Sequence, residues 1–224
     1  MSGSGGPWLL AVDTATTRIV VAAAGTDGDL IAAEAFEGRY RHSQELMPAI
    51  VRLLESNGLR MPDLAGVIVG TGPGAFTGLR VGIATAKTLA HELGTPIVGI
   101  GTDAALLDAA GGDGTLWLPS GPRDLLRVER GHEPVVVHGA GPDALGSNDI
   151  AVDLDGRAPD GPLARGRAAV ERLPASLAGL GAARLAAADT DDPERLVPRY
   201  ASPPRGMAAE SPDDGGVAWS RDPR

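Results

Sequence analysis

Three short stretches of this sequence carry residue types that could do chemistry. Residues 13–17, "DTATT", set an aspartate and three hydroxyls at the end of an apolar run. Such a turn can aim hydroxyls and backbone amides at phosphates and at a metal-bound water. Residues 70–78, "GTGPGAFTG", place Gly70, Gly72, Gly74 and Gly78 between an apolar run and a helical pattern. Phosphate-binding turns live in that setting. His42 beside Ser43 joins a base to a nucleophile, the raw material of a hydrolase.

Each chemistry makes demands that can be checked. A phosphate-binding P-loop needs G-x-x-x-x-G-K-[ST]. No pair of glycines here has that spacing followed by Lys, and Lys87, the single lysine, sits well inside the following helix. Gly70, Gly72 and Ala75 fit G-x-G-x-x-A, but the dinucleotide fingerprint also needs an acid at the end of the next strand, and Asp103 lies late for it. His42 and Ser43 are adjacent in sequence only, with no third group to orient the base, so His42 reads as a surface residue before a helix. The "DTATT" turn resembles the phosphate-1 loop of actin-like ATPases and sugar kinases, Asp-x-Gly-[ST]-[ST], with Ala15 in place of the glycine. No second loop of Asp-Gly-Gly type follows, and the competing reading has Asp13 hydrogen-bonding its own hairpin. The acids of "DTDDPE", residues 189–194, lack metal-ligand spacing and are expected to solvate a loop.

These residues must be held by something, and the first hundred positions are well patterned. "WLLAVDT" reads as a buried strand, and "RIVVAAAG" and "DLIAAEAF" follow through turns too short for a crossover, so the three form an antiparallel meander. Residues 43–57 change to a helical period, with Leu46, Met47, Ile50, Val51, Leu53 and Leu54 on one side, Ser43 as N-cap and Gly58 as stop. "GVIVG", the helix over residues 77–93 and "PIVGI" complete the order of a ribonuclease H-like lobe, with parallel strands added by helical crossovers. Beyond about residue 110 the signal weakens. "GTLWLPS", "DLLRVERG" and "EPVVVHG" predict short strands of a smaller sheet, and "GPLARGRAAVERLPASLAGLG" predicts a partly helical stretch interrupted by Gly and Pro. The division expected is a first lobe over 7–108, a reduced second lobe over 109–202 and a disordered tail over 203–224.

Composition bounds the function. The 224 residues include no cysteine, which excludes disulfides, thiolate metal sites and cysteine nucleophiles. His42, His91, His132 and His138 have no ligand spacing, so no metal is expected. With two Phe, two Tyr and three Trp the core must be aliphatic. A net charge of −9 argues against a self-sufficient nucleic-acid binder. The start "MSGSGGPW" lacks the basic end and apolar stretch of a signal peptide, and no run has the length of a membrane span, so the expectation is a cytoplasmic protein.

The glycine turn is better explained as the start of a helix. Pro73 and the glycines turn the chain off the strand, Thr77 is placed to cap, and Phe76 with Val81 suits a hydrophobic staple. The helix itself shows too few polar positions. Leu79, Ile83, Ala86, Ala90 and Leu93 make one apolar face, the opposite side is small and near-neutral, and Arg80, Lys87 and His91 form a basic stripe. The preceding helix is also apolar over more than the roughly 100° a surface helix needs. Such surplus suits a partner-binding surface, or a pair of helices covered by the protein's own second lobe.

Taken together, "AVDTATTRIVVAA", "HSQELMPAIVRLLESNGL" and "DLAGVIVGTGPGAFTGLRVGIATAKTLAHELGTPIVGIGT" resemble the TsaB family of bacterial tRNA threonylcarbamoyladenosine biosynthesis proteins, once labelled glycoprotease-like. The segment G-x-G-P-G-[SA]-F-T-G-[LI]-R-[IV]-G carries most of the likeness, which spans residues 8–108, and "LVPRYA" resembles the family's closing Pro-x-Tyr. The resemblance implies an α/β protein of the actin-like (ASKHA) fold, with a ribonuclease H-like lobe of mixed sheet and a smaller degenerate second lobe. It implies a non-catalytic scaffold subunit that pairs with the catalytic subunit TsaD, and with the ATPase TsaE, to modify the adenosine 3′ of the anticodon. Such a subunit meets tRNA only indirectly and can also form homodimers. Pairing through the two helices of the first lobe would fall on Leu46, Met47, Ile50, Val51, Leu54, Leu79, Arg80, Ile83 and Lys87. Asp13, Thr14 and Thr16 become a vestigial phosphate-facing loop, and Gly72, Pro73, Gly74, Phe76 and Thr77 the turn that launches a docking helix. No catalytic residue, metal or cofactor is expected for the isolated chain, with ATP or ADP admitted only at the partner interface. The family's Asp-Ala-Arg-x-x-Glu-[VI]-Tyr segment corresponds to "GPRDLLRV", which keeps Arg123 and lacks the acid and the tyrosine. The alternatives are an actin-like ATPase, or a divergent relative with other partners; the old peptidase label would need histidine ligands that the sequence does not offer.

Overall fold

In the computed structural model, which describes residues 6–38 and 42–201 with the side chain of His42 excepted, two sheets enclose a pair of helices. β1 (Trp8–Asp13), β2 (Arg18–Gly25) and β3 (Leu30–Glu37) form the expected meander. α1 (His42–Asn57), β4 (Leu64–Gly70), α2 (Phe76–Leu93) and β5 (Ile97–Ile100) then add the parallel half, giving the order β3-β2-β1-β4-β5. β1 is the central strand, antiparallel to β2 and parallel to β4.

The two-residue period of the strands divides the core. Trp8, Leu10 and Val12 of β1, with Ile19, Val21 and Ala23 of β2, pack under α1 and α2. Leu9 and Ala11, with Val20, Ala22 and Ala24, face the other way, toward Leu173, Leu177, Ala178 and Ala182. Those four belong to α4 (Asp160–Ala186), which packs beside α3 (Thr102–Ala110). The smaller sheet, in the order β8-β7-β6-β9, consists of β6 (Leu116–Pro119), β7 (Leu125–Val128), β8 (Val135–Val137) and β9 (Ile150–Ala151). Its residues Leu116, Leu118, Leu126 and Val128 join the same core as α3 and α4. One apolar core therefore runs from sheet to sheet, across the boundary expected at residue 108.

Several local expectations need correction. α2 starts at Phe76 with Ala75 as its cap and no side-chain cap bond, so Thr77 lies inside the first turn and cannot cap. Phe76 is likewise helical and stacks on Tyr200 at 4.8 Å between ring centroids, an arrangement other than the expected staple with Val81. α1 starts one residue before Ser43, so its cap falls outside the described residues. Its end is as expected: Gly58 takes φ 64° and Leu59 N–H returns to the Leu54 carbonyl.

α4 is one unbroken helix of 27 residues, through Gly166, Pro174 and Gly181, where an interrupted one was expected. The glycines are contact positions: a Cβ on Gly166 would meet the Ala151 carbonyl oxygen at 1.8 Å, and one on Gly181 would meet Ile68 at 2.5 Å. α3 and β9 escaped the sequence reading altogether. The expected tail, residues 203–224, lies outside the described residues, as does most of "MSGSGG".

Candidate functional site

The glycine turn and the "DTATT" turn are locked together. A Cβ on Gly70 would strike Asp13 Oδ2 at 1.8 Å, one on Gly74 the Ala15 carbonyl oxygen at 2.1 Å, and one on Gly82 the Thr14 hydroxyl at 2.2 Å. Ala75 N–H donates to the Ala15 carbonyl at 2.7 Å, and the Thr14 hydroxyl to the Gly78 carbonyl at 2.8 Å. The glycines admit a neighbouring hairpin, the role a phosphate would have played in the rejected readings.

That packing uses the side chains of Asp13 and Thr14 in the "DTATT" turn. Asp13 is buried and accepts from Ala15 N–H at 2.8 Å and from the Thr102 hydroxyl at 2.6 Å. Burial pushes its pKa up to about 6, against the lowering effect of those two bonds. Thr14 is committed to α2, and the Thr16 hydroxyl bonds the Arg18 carbonyl at 3.2 Å. The competing reading of Asp13 as a hairpin hydrogen-bonder matches the Ala15 contact, and the Thr102 contact extends it to the start of α3.

The closing "LVPRYA" segment covers this turn, a relationship the sequence reading missed. Arg199 N–H donates to the Thr71 carbonyl at 2.7 Å, and Tyr200 makes a parallel bridge to Gly74. The Arg80 guanidinium lies 3.9 Å from the Phe76 ring centroid, and its Nε–H donates to the Tyr200 hydroxyl at 3.0 Å. Leu196 is buried in the core under α2, and the Ser120 hydroxyl bonds the Ala201 carbonyl at 3.1 Å. Tyr200 at the far end of the chain thus holds the first turn of α2.

The nine residues assigned to partner contact separate into two groups. Leu46, Ile50, Leu54, Leu79 and Ile83 lie in the chain's own core, Ile83 with 4% of its surface exposed. They tie α1 and α2 to the sheet and are out of reach of any partner. Met47 and Val51 are exposed at 40% and 43%, Arg80 is exposed and Lys87 is half-buried. Phe76, Ala84, Thr88 and His91 are exposed on α2 as well.

The remaining candidates are dispersed. Of the acids expected to solvate a loop, Asp192 and Glu194 are exposed, while Asp189 and Asp191 have structural partners. Arg184 binds Asp189 at 2.7 Å and Asp191 at 3.0 Å, and Asp191 accepts Gly99 N–H at 2.7 Å, fixing the segment to β5. Arg123 is exposed in the turn before β7. His138 meets Asp124 at 3.1 Å, and the Gly139 amide, followed by His138, holds that carboxylate below its ordinary pKa. Among the described residues no group of three or more His, Asp or Glu side chains is placed to hold a metal ion, and no helix is long and apolar enough to cross a membrane.

Residues 37–143 match the family described as TsaD, tRNA N6-adenosine threonylcarbamoyltransferase. The chain is 38% identical over 105 residues to an uncharacterised protein of Mycobacterium tuberculosis, covering 46% of this chain and 48% of that one. It is 37% identical over 89 residues to the tRNA threonylcarbamoyladenosine biosynthesis protein TsaB of Bacillus subtilis, covering 40% of this chain and 38% of the relative. Against the Escherichia coli protein of the same name it is 36% identical over 94 residues, covering 42% and 40%. The chain thus spans less than half the length of these curated relatives. In fold it resembles YeaZ from Pseudomonas aeruginosa, with a TM-score of 0.62, 23% identity, and coverage of 87% of this chain and 99% of that one. A second Pseudomonas aeruginosa structure, described as similar to peptidase YeaZ, gives a TM-score of 0.65 at 19% identity, covering 88% and 100%. The α/β fold is therefore common to this chain and the two Pseudomonas aeruginosa structures, and the likeness in sequence to TsaB proteins lies in the first half of the chain.

Proposed function

We propose that the chain serves tRNA threonylcarbamoyladenosine biosynthesis as an accessory subunit, pairing through the outer faces of α1 and α2 with a TsaD-type catalytic subunit. The observation that carries this reading is the pair Met47 and Val51, held outward on α1 in a lobe that matches TsaB proteins. Two apolar side chains at four-residue spacing on one helix face form the kind of anchor that a facing helix covers. Arg80, set over Phe76 and fixed by Tyr200, presents a rigid cation on the neighbouring helix. In this reading the work is cytoplasmic, tRNA is held by the partners, a TsaE-type ATPase joins the assembly, and any ATP or ADP sits at the partner interface.

Light scattering on the chain alone and mixed with the TsaD-type subunit of the same organism tests the proposal. A stoichiometric complex that Met47→Asp abolishes, with the variant still folded, is the expected result. A chain that stays monomeric with that subunit at micromolar concentrations defeats it, and a homodimer broken by the same substitution would assign the surface to a second copy.

A further inference from the structure

The five-stranded sheet ends in two edge strands, β3 and β5. The pairing of β5 with β4 shows which of its groups point inward. The Pro96 carbonyl accepts from Val67 N–H at 2.9 Å, and the Ile100 carbonyl from Thr71 N–H at 2.8 Å. Successive residues of a strand turn their backbone groups to opposite sides, so Ile97 and Gly99 face outward. Arg184 and Asp191 take those outward groups in place of a strand. Asp191 N–H donates to the Ile97 carbonyl at 2.9 Å, and Gly99 N–H to Asp191 Oδ2 at 2.7 Å. Arg184 Nη1 donates to the Gly99 carbonyl at 2.8 Å and binds Asp191 at 3.0 Å. One ion pair thus supplies both the donor and the acceptor of a neighbouring strand.

The opposite edge is treated in the same way. Gly38 N–H donates to the Thr17 carbonyl, which in this antiparallel register turns Ala33, Ala35 and Glu37 outward on β3. The Arg18 guanidinium donates to the outward Ala35 carbonyl at 2.7 Å. β3 also carries Glu34 and Glu37, and charges on an edge strand discourage pairing with another chain. β5 has no such protection of its own. Residues 95–102, "TPIVGIGT", hold no charge, and Ile97 and Val98 are fully apolar. What keeps this edge closed comes from α4 and the segment after it.

We propose that Arg184 and Asp191 act as an edge guard, and that the partner they exclude is β5 of a second copy. Antiparallel pairing about Val98 sets Ile97 opposite Gly99 in both directions, so that outward donors meet outward acceptors. No like charges oppose that pairing, and an uncharged edge left open is a template for association between sheets. The guard is anchored from beyond β5: Leu196 is buried in the core under α2, and Arg199 holds Asp103. None of these residues belongs to the outer faces of α1 and α2, and the guard works whether or not those faces bind a partner.

Light scattering and amide exchange on the full chain, over a range of concentrations, test the guard. Arg184→Ala with Asp191→Ala leaves the edge one of its three bonds, that from Asp191 N–H to the Ile97 carbonyl. Met47→Asp is carried in both chains compared, which keeps the α1 face out of the measurement. In dilute solution, exchange at the Gly99 amide is expected to quicken about tenfold, the worth of one charge-assisted hydrogen bond. As concentration rises, the mass of the variant should double and protection of the Gly99 amide return, with the parent chain unmoved. A variant that stays monomeric throughout overturns the proposal. So does one that associates while Gly99 exchange stays independent of concentration. Should the double variant not fold, Asp191→Ala alone frees the Gly99 amide, and the same concentration series decides.

Discussion

Arg199 sets both of its terminal nitrogens on the carboxylate of Asp103, at 3.1 and 3.2 Å, across 96 residues of sequence. Asp103 is nearly buried in the first turn of α3, while Arg199 belongs to the segment that crosses the glycine turn. A two-pronged contact of this geometry fixes direction as well as distance.

Arg199→Ala should lower stability by about 1–2 kcal/mol, a value held down by the half-exposure of the arginine. Arg199→Lys should recover only part, because an ammonium cannot make both contacts at once. Urea midpoints of the three chains measure this, and unchanged midpoints would show the contact to be idle.

Gly74 and Gly179 make a paired test of what glycine does here. Gly74→Ala drives a methyl group into the Ala15 carbonyl, a backbone atom that cannot rotate away, and should cost about 2–3 kcal/mol. Gly179 lies exposed inside α4 with open space where its Cβ would be, so Gly179→Ala should stabilise by up to about 1 kcal/mol. Thermal unfolding should move in opposite directions for the two. Movement in the same direction would mean that the Gly74 contact is not what limits that site.

Asp13 gives stability a defined pH dependence. Its folded pKa is raised to about 6, so between pH 4 and 6 the unfolded chain gives up a proton that the folded chain keeps. Stability contributed by Asp13 is therefore complete at the acid end, falls as pH rises through this window, and is level above it. The shift corresponds to about 3 kcal/mol at most. Urea midpoints from pH 4 to 7 should show this component in the native chain and lose it in Asp13→Asn. A profile that the substitution leaves unchanged would place the acid-sensitive group elsewhere.

Ile83→Asp and Met47→Asp should fail in different ways. Ile83 is enclosed under α2, and an unpaired carboxylate there costs several kcal/mol, enough to unfold much of the chain. Met47 already meets water, and Met47→Asp should leave circular dichroism and melting nearly unchanged. If both variants melt like the native chain, Ile83 does not hold α2 to the sheet.

The meander and the two crossover units were legible in the sequence because each strand or helix keeps one clean period and ends at a glycine or a tight turn. α3 was not, because Ala105, Leu106, Leu107 and Ala109 are all buried and only Ala104 and Asp108 face outward, too few polar positions to set a period. α4 was blurred by Pro174 and by its glycines, of which Gly166 and Gly181 mark close approaches to Ala151 and Ile68. The same limit applied to the docking helices. Apolar periodicity finds Leu46, Ile50 and Ile83 together with Met47 and Val51, but it cannot say which of them the chain covers by itself. Rejection of a phosphate role for the glycine turn rested on spacing alone; the fit to Asp13, Thr14 and Ala15 joins residues about sixty positions apart, which no local pattern reveals.

The placement of α4 bears on how the chain is made. Strands β1, β2 and β4 emerge early in synthesis, yet their inner face is closed by Leu173, Leu177, Ala178 and Ala182, which are translated far later. A nascent chain that has completed β5 still shows Leu9, Val20 and Ile68 to water, so the first lobe cannot finish folding ahead of the second. Separate expression of residues 7–108 should therefore yield an aggregating fragment, and a premature stop before α4 would remove the first lobe along with the second.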